Sequence, residues 1–185
     1  MIESIAALIS PVLTFTPVRR VRRNHGLEHA TVHMLARQVR NLRIAGRAEY
    51  DGFILYGEAD TEQVRTAVTE ALDRMRSGEH GLAVHPNCGT GLVTTGLMTS
   101  IAAVIGFAGT RGSIRDILNR LPLAMILSIF ALIISQPIGL SLQRYITTLG
   151  DPGDIEVIGI TRHQFKLPLT GSETLTVHRV KTRHG

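Results

Sequence analysis

Two long stretches without a charged residue constrain this chain most. No Asp, Glu, Lys or Arg lies between Cys88 and Arg111, and none lies between Arg120 and Arg144. An α-helix needs about 20 apolar residues to cross the hydrocarbon core of a bilayer, and each stretch is longer than that. The alternative is a pair of buried helices in a soluble protein, but such helices are usually shorter and keep a polar stripe, which the second stretch lacks. We therefore predict two transmembrane helices.

Small residues in the first stretch predict how its helix packs. Gly91, Thr95, Thr99 and Ala103 recur at four-residue spacing, which lets two helix backbones approach closely in lipid. The same faces can support a homo-oligomer. Because the connection over residues 111–120 is short, we expect a tight antiparallel hairpin with the second helix.

The N-terminal segment is apolar but shorter than a regular transmembrane helix. Residues 4–18 carry no charge and contain Pro11 and Pro17. The segment also lacks the basic region and the small-residue cleavage site of a signal peptide. We interpret residues 1–18 as an interfacial or re-entrant membrane anchor, with a third transmembrane span as the alternative.

A basic cluster follows this anchor. Arg19, Arg20, Arg22 and Arg23 suit anionic lipid headgroups on the cytoplasmic side. The formal net charge of +5 points to a membrane surface as the partner, and not to nucleic acid, because the chain has no Trp and no aromatic-interleaved basic motif.

The balance of charge and the cysteine count predict the location. The 110–120 loop has three arginines against the four-arginine cluster, so the positive-inside rule places both chain ends in the cytoplasm. A single cysteine excludes an intrachain disulfide and fits a reducing compartment. We expect a multi-pass protein of the cell (inner) membrane with a cytoplasmic soluble domain.

Local patterns predict helices and strands around the two apolar stretches. Asn24 is a good N-cap for a helix over residues 24–41, and a capping box at Asp60 and Gln63 opens a second helix that ends at Gly78. The apolar face of the first helix holds Leu27, Ala30, Leu35, Met34 and Leu42. Residues 52–56 and 81–84 resemble strands, and residues 154–162 and 174–181 resemble a hairpin.

The predicted fold class is therefore α+β. A small α+β domain over residues 19–88 carries the metal motif described next, and residues 89–143 form the transmembrane helical hairpin. Residues 144–185 form a β-hairpin tail that packs on the small domain.

One segment has the spacing of metal-binding residues. Residues 25–29 read H-G-L-E-H, so His25 and His29 lie one turn apart on one helix face and can bind a single Zn²⁺. Glu28 lies beside them and can accept a proton from a metal-bound water. His33 extends the stripe, but it is about 12 Å of helical rise from His25 and cannot share one metal with it. We expect His33 to support the site or to face a substrate.

A second cluster precedes the first apolar helix. Residues 85–90 read H-P-N-C-G-T, in which His85 and Cys88 are both zinc ligands by type. The helix N-terminus that follows favours a thiolate. A capping turn with a buried cysteine is the alternative. Three protein ligands would leave an open catalytic position, whereas His25, His29, His85 and Cys88 together would close a structural site.

These two motifs carry a family resemblance over residues 24–110. H-G-L-E-H-A-T with H-P-N-C-G-T resembles an uncharacterised family of bacterial membrane proteins with paired H-G-x-E-H-x-T and H-P-x-C-G-T segments. The resemblance implies a shared site at His25, Glu28, His29, His85 and Cys88 in a membrane setting, without naming a substrate. Separately, the H-x-x-E-H segment resembles the site of inverted-zincin metallopeptidases.

The sequence supports three functions. The first is a membrane-embedded zinc peptidase or related hydrolase in which Glu28 is the general base. The second is a non-catalytic membrane protein with a structural zinc site. The third is a thiol enzyme that uses Cys88 with His85. Four other histidines are weaker candidates for an extra ligand or for solvated side chains, and they are His80, His163, His178 and His184.

Overall fold

The computed structural model describes residues 1–110, 112–166 and 174–184. Its helices are α1 (Ile2–Leu8), α2 (Ser10–Thr14), α3 (Thr16–Gln38), α4 (Thr61–Arg76), α5 (Gly89–Phe107) and α6 (Ile114–Leu142). A 3₁₀ helix covers His80–Ala83 and a π-helical turn covers Gln143–Thr147. The strands are β1 (Ala45–Glu49), β2 (Gly52–Tyr56), β3 (Glu156–Lys166) and β4 (Thr174–Arg183).

The chain divides into two compact units. The first comprises residues 3–85 and 144–185, and the second comprises residues 86–143. The α+β class is confirmed, because the first unit combines helices with a four-stranded antiparallel sheet of order β1-β2-β4-β3.

The core of the first unit lies between this sheet and helices α3 and α4. Leu27, Ala30 and Met34 of α3 are buried there, as predicted, together with Phe53 of β2 and Val180 of β4. Phe53 and Val180 face each other in the β2–β4 register. Pairing of β2 with β4 therefore brings the N-terminal part of the chain and its last strand into one continuous core.

Helix α4 forms as its sequence predicts. The Asp60 carboxylate accepts from the backbone N–H of Glu62 at 2.8 Å, and the capping box with Gln63 is present. The helix ends at Arg76, and Gly78 follows in a left-handed conformation with φ of 101°. Such a residue after a helix favours glycine, since it has no Cβ to clash.

The predicted N-cap at Asn24 is wrong. Helix α3 begins at Thr16, with Pro17 in its first turn, where a missing N–H costs nothing. Asn24 lies inside the helix and is buried. Its side chain donates to the carbonyls of Glu49 at 2.9 Å and Tyr50 at 3.1 Å and accepts from the Thr182 hydroxyl at 2.8 Å. The residue that resembled a cap instead fixes the β1–β2 turn.

Two further local expectations differ from the structure. Residues 81–84 do not form a strand, because the N–H of Leu82 bonds to Glu79 and that of Val84 bonds to Gly81, which is local 3₁₀ pairing. Strand β1 was not predicted, since its sequence A-G-R-A-E lacks β-branched residues. The C-terminal hairpin is confirmed, with β3 and β4 antiparallel.

The second unit consists of α5 packed on α6. A Cβ placed on Gly106 would lie 2.4 Å from the Ala124 Cα, so glycine is needed for this close approach. The hydroxyls of Thr95 and Ser135 are 2.7 Å apart. The predicted small-residue contact is thus between the two helices of one chain. Helix α6 begins at Ile114, so the link between the helices is shorter than predicted.

Two helices in the described part of the chain are long and apolar enough to cross a membrane, by length and composition. They are Gly89–Phe107 and Ile114–Thr147, and only 11% and 6% of their apolar windows are buried. Core helices of soluble proteins are mostly buried, so this exposure of large apolar side chains is typical of lipid-facing helices.

Candidate metal centre

Helix α3 places three histidines along one stripe. His25, His29 and His33 are spaced by four residues, and the helix buries its apolar side in the core. The His25 and His29 rings lie 4.5 Å apart between centroids, at 66° to each other. The two imidazoles predicted from spacing are therefore neighbours in the structure.

Backbone carbonyls fix the tautomers of this histidine pair. Nδ1 of His25 lies 2.9 Å from the carbonyl oxygen of Thr147, and Nδ1 of His29 lies 2.7 Å from that of Ala83. Because a carbonyl oxygen only accepts, each Nδ1 must carry the hydrogen. The lone pair of each neutral ring is then on Nε2. Metal-binding histidines commonly have this arrangement, in which the second ring nitrogen is held by a carbonyl or carboxylate.

His85 and His33 form a second ring contact. Their centroids are 4.9 Å apart, and the centroid of His85 is 5.9 Å from that of His29. Burial, and then the nearby His33, lowers the pKa of His85 below its usual value. His85 is therefore the neutral imidazole at pH 7, which is the form that binds metal ions.

Glu28 is buried on α3 with only 4% of its surface exposed. A Cβ placed on Gly46 of β1 would lie 2.1 Å from Oε1 of Glu28, so the carboxylate packs directly against this glycine. Any larger residue at position 46 would displace the carboxylate. The structure thus positions Glu28 through β1, an element that sequence analysis did not identify.

Cys88 belongs to the second unit, where it is the N-cap of α5. Its Sγ accepts from the backbone N–H of Thr90 at 3.4 Å, and the residue is buried. The N-terminal end of a helix stabilises negative charge, which favours the thiolate. Cys88 lies three positions after His85, so chain length alone keeps the two Cα atoms within about 11 Å.

Three of the four N-terminal arginines bind within the protein. Arg22 donates to the carbonyls of Leu13, Tyr145 and Thr148 at 3.0–3.2 Å. Arg20 donates to the Thr182 carbonyl and lies 4.4 Å from the centroid of the Tyr50 ring. Arg23 pairs with Asp151 and Asp154. Most of these partners lie more than 100 residues away in the chain, so the sequence, which suggested lipid headgroups for these charges, does not reveal them.

The other four histidines lie elsewhere in the first unit. His80 is exposed at the start of the 3₁₀ helix, and His163 is exposed on β3. His178 is fully buried on β4, where its Nε2 lies 3.2 Å from the Thr61 hydroxyl. His184 follows β4, with φ of 62°.

The fold and the site together define the class to which this protein belongs. It is an α+β protein with two long apolar helices and a carbonyl-anchored histidine pair. Residues 20–160, which include all five predicted site residues and both apolar helices, match the family described as "Domain of unknown function (DUF6391)". The chain belongs to this family.

One similar protein is an uncharacterized protein of Picosynechococcus sp. It is 34% identical over 154 residues, which cover 74% of this chain and 71% of that protein. No solved structure matches the chain. The expected membership of an uncharacterised family is thereby confirmed, and these comparisons supply no activity.

Proposed function

We propose that this protein is a membrane-embedded zinc-dependent peptidase or a related hydrolase. The observation that carries the proposal is the pair of hydrogen bonds from Nδ1 of His25 and His29 to backbone carbonyls. These bonds orient two Nε2 lone pairs from adjacent rings, before any metal binds, in the manner of metal-binding histidines.

The third ligand in this proposal is Cys88. Imidazole nitrogen and thiolate sulfur are the ligand types that Zn²⁺ prefers, and His25, His29 and Cys88 each offer one such atom. The three-residue tether to His85, whose ring adjoins that of His29, supports this assignment. With three protein ligands, a bound zinc would retain one open position and would lower the pKa of a water there towards about 7.

Glu28 is the general base in this proposal. It precedes His29 directly, and its carboxylate is buried against Gly46. A buried carboxylate near a metal centre can take a proton from the attacking water and later return it to the leaving group. Neither Glu28 oxygen is assigned as a metal ligand in this proposal, so the role proposed for the carboxylate is proton transfer.

A structural zinc site is the second candidate. The ring of His85 lies 5.9 Å from that of His29, so His85 can also be placed near the same ion. His25, His29, His85 and Cys88 would then close the shell and fasten α3 to the start of α5. Such a site has no open position and no turnover.

A hydrolysis assay separates the two candidates. We expect the full chain, purified in detergent, to cleave members of a peptide library, to lose this activity on dialysis against a chelator, and to regain it when zinc is restored. Zinc-containing protein without chelator-sensitive hydrolysis would support the structural site instead.

The membrane setting is also proposed, with α5 and α6 as a transmembrane hairpin in the inner membrane and both chain ends in the cytoplasm. The support is the exposure of apolar side chains such as Leu92, Ile126 and Phe130. Residues 1–18 would lie at the interface, where Leu8 and Phe15 are exposed.

Extraction and labelling test this topology. We expect the protein to stay with membranes in alkaline carbonate, because two spans bury far more apolar surface than a peripheral contact. An impermeant thiol reagent should label Ser113→Cys in intact cells but not His184→Cys. Labelling of His184→Cys alone would invert the topology, and a soluble monomer without detergent would refute the membrane setting.

A further inference from the structure

His33 and His85 form a histidine pair that the proposed zinc site does not use. Their ring centroids are 4.9 Å apart at 63°, close to the 4.5 Å and 66° of the His25–His29 pair. His85 lies a full ångström farther from His29 than from His33. The first unit therefore contains two imidazole pairs of similar geometry, one turn apart along α3.

The tautomer of His33 is also fixed by the backbone. Nε2 of His33 lies 2.9 Å from the carbonyl oxygen of Val84, so it must carry the hydrogen. The lone pair of the neutral ring is then on Nδ1. Val84 directly precedes His85, so one short stretch of backbone orients the His33 ring and carries its neighbour. This is the same carbonyl anchoring that marks His25 and His29, with the opposite ring nitrogen.

One metal ion cannot account for all four rings. His33 lies about 12 Å of helical rise from His25, whereas two nitrogens bound to one zinc are within about 4.2 Å of each other. His29 has a single lone pair, which the first site uses. The lone pair on Nδ1 of His33 is not used by the first site, and His85 is the ring beside it.

We propose that His33 and His85 bind a second divalent metal ion, adjoining the first, with His33 Nδ1 and one His85 ring nitrogen as the protein ligands. Water would fill the other positions. Two imidazole ligands suit a first-row divalent ion such as Zn²⁺, Co²⁺ or Ni²⁺ and not Mg²⁺ or Ca²⁺, which prefer oxygen. The second site does not require the first to be catalytic.

The test is metal stoichiometry in the full chain, purified in detergent and dialysed against Zn²⁺. We expect two equivalents for the natural protein and for His163→Gln, an exposed control on β3. His33→Gln and His85→Gln should each retain one equivalent. Glutamine at position 33 keeps an amide donor for the Val84 carbonyl, and unchanged circular dichroism would show that the fold survives.

Cobalt titration assigns the ion that is lost. A Co²⁺–thiolate pair gives a charge-transfer band in the near ultraviolet, and this band should persist in His33→Gln and His85→Gln but disappear in Cys88→Ser. Saturation of the natural protein at one equivalent with the thiolate band present would overturn the second site, and so would two equivalents in folded His33→Gln. Loss of the thiolate band in His85→Gln would assign His85 to the first site and also overturn the pair. Failure of the proposed zinc centre is distinct, because the natural protein would then bind cobalt without a thiolate band and would lose that cobalt in His33→Gln.

Discussion

Glu28→Gln is expected to lower peptide turnover by about 10²–10⁴-fold, the usual worth of a general base. Glutamine has nearly the shape of glutamate, so it fits the space beside Gly46, where a Cβ would meet Oε1 of Glu28 at 2.1 Å. The amide cannot take a proton from a metal-bound water. Zinc content and melting temperature should therefore stay close to those of the natural protein while kcat falls.

The matched control is Glu70→Gln, an exposed carboxylate on α4 that pairs with Arg74. It removes one negative charge far along the chain from the site and should leave turnover unchanged. If Glu28→Gln keeps full turnover, Glu28 is not the base. If Glu28→Gln lowers the melting temperature sharply, and kcat falls only as much as the folded fraction does, the carboxylate is a buried structural group.

His29→Ala should abolish zinc binding at the proposed centre of His25, His29 and Cys88. His29 is 3% exposed, and its Nδ1 lies 2.7 Å from the Ala83 carbonyl oxygen, which orients the ring for binding through Nε2. Removing a residue that only hydrogen-bonds to a metal ligand lowers metal affinity by about 10–100-fold. Removing a ligand itself should lower the affinity further.

Elemental analysis after dialysis against buffered zinc measures this effect, with His163→Ala as the control. His163 is a histidine of the same unit that is exposed on β3. Unchanged zinc binding in His29→Ala would mean that the His25–His29 pair only packs within the fold and holds no metal. Loss from both variants alike would indicate nonspecific surface binding.

The sequence predicts those elements whose signals are local. Each uncharged stretch is one continuous segment, the capping box at Asp60 lies within four residues, and the structure has the corresponding helices. Asn24 shows where local signals fail. Its side chain is typical of a cap, but tertiary partners in β1 and β4 give it a buried role instead.

Strand order and arginine pairing depend on contacts between distant parts of the chain. Strand β4 lies between β2 and β3, which joins residue 53 to residue 180. Arg22 reaches carbonyls at positions 145 and 148. A guanidinium with five donors serves a headgroup or a set of carbonyls equally well, so composition cannot distinguish these partners.

The candidate site likewise has some features that the sequence predicts and others that depend on distant parts of the chain. The spacing of His25 and His29 predicts that their rings meet, and the structure confirms that they do. Their carbonyl partners, Thr147 and Ala83, carry no sequence signal because any residue has a carbonyl. Gly46 is likewise informative only once β1 is seen to cross beside Glu28.

We propose His25, His29 and Cys88 as zinc ligands. Zinc X-ray absorption on the full chain, purified in detergent and loaded with one equivalent, measures this ligand set. We predict two imidazole nitrogens at about 2.0–2.1 Å and one sulfur at about 2.3 Å, with the sulfur absent in Cys88→Ser. A shell of nitrogen and oxygen alone in the natural protein, or failure to retain the single equivalent, would contradict this assignment.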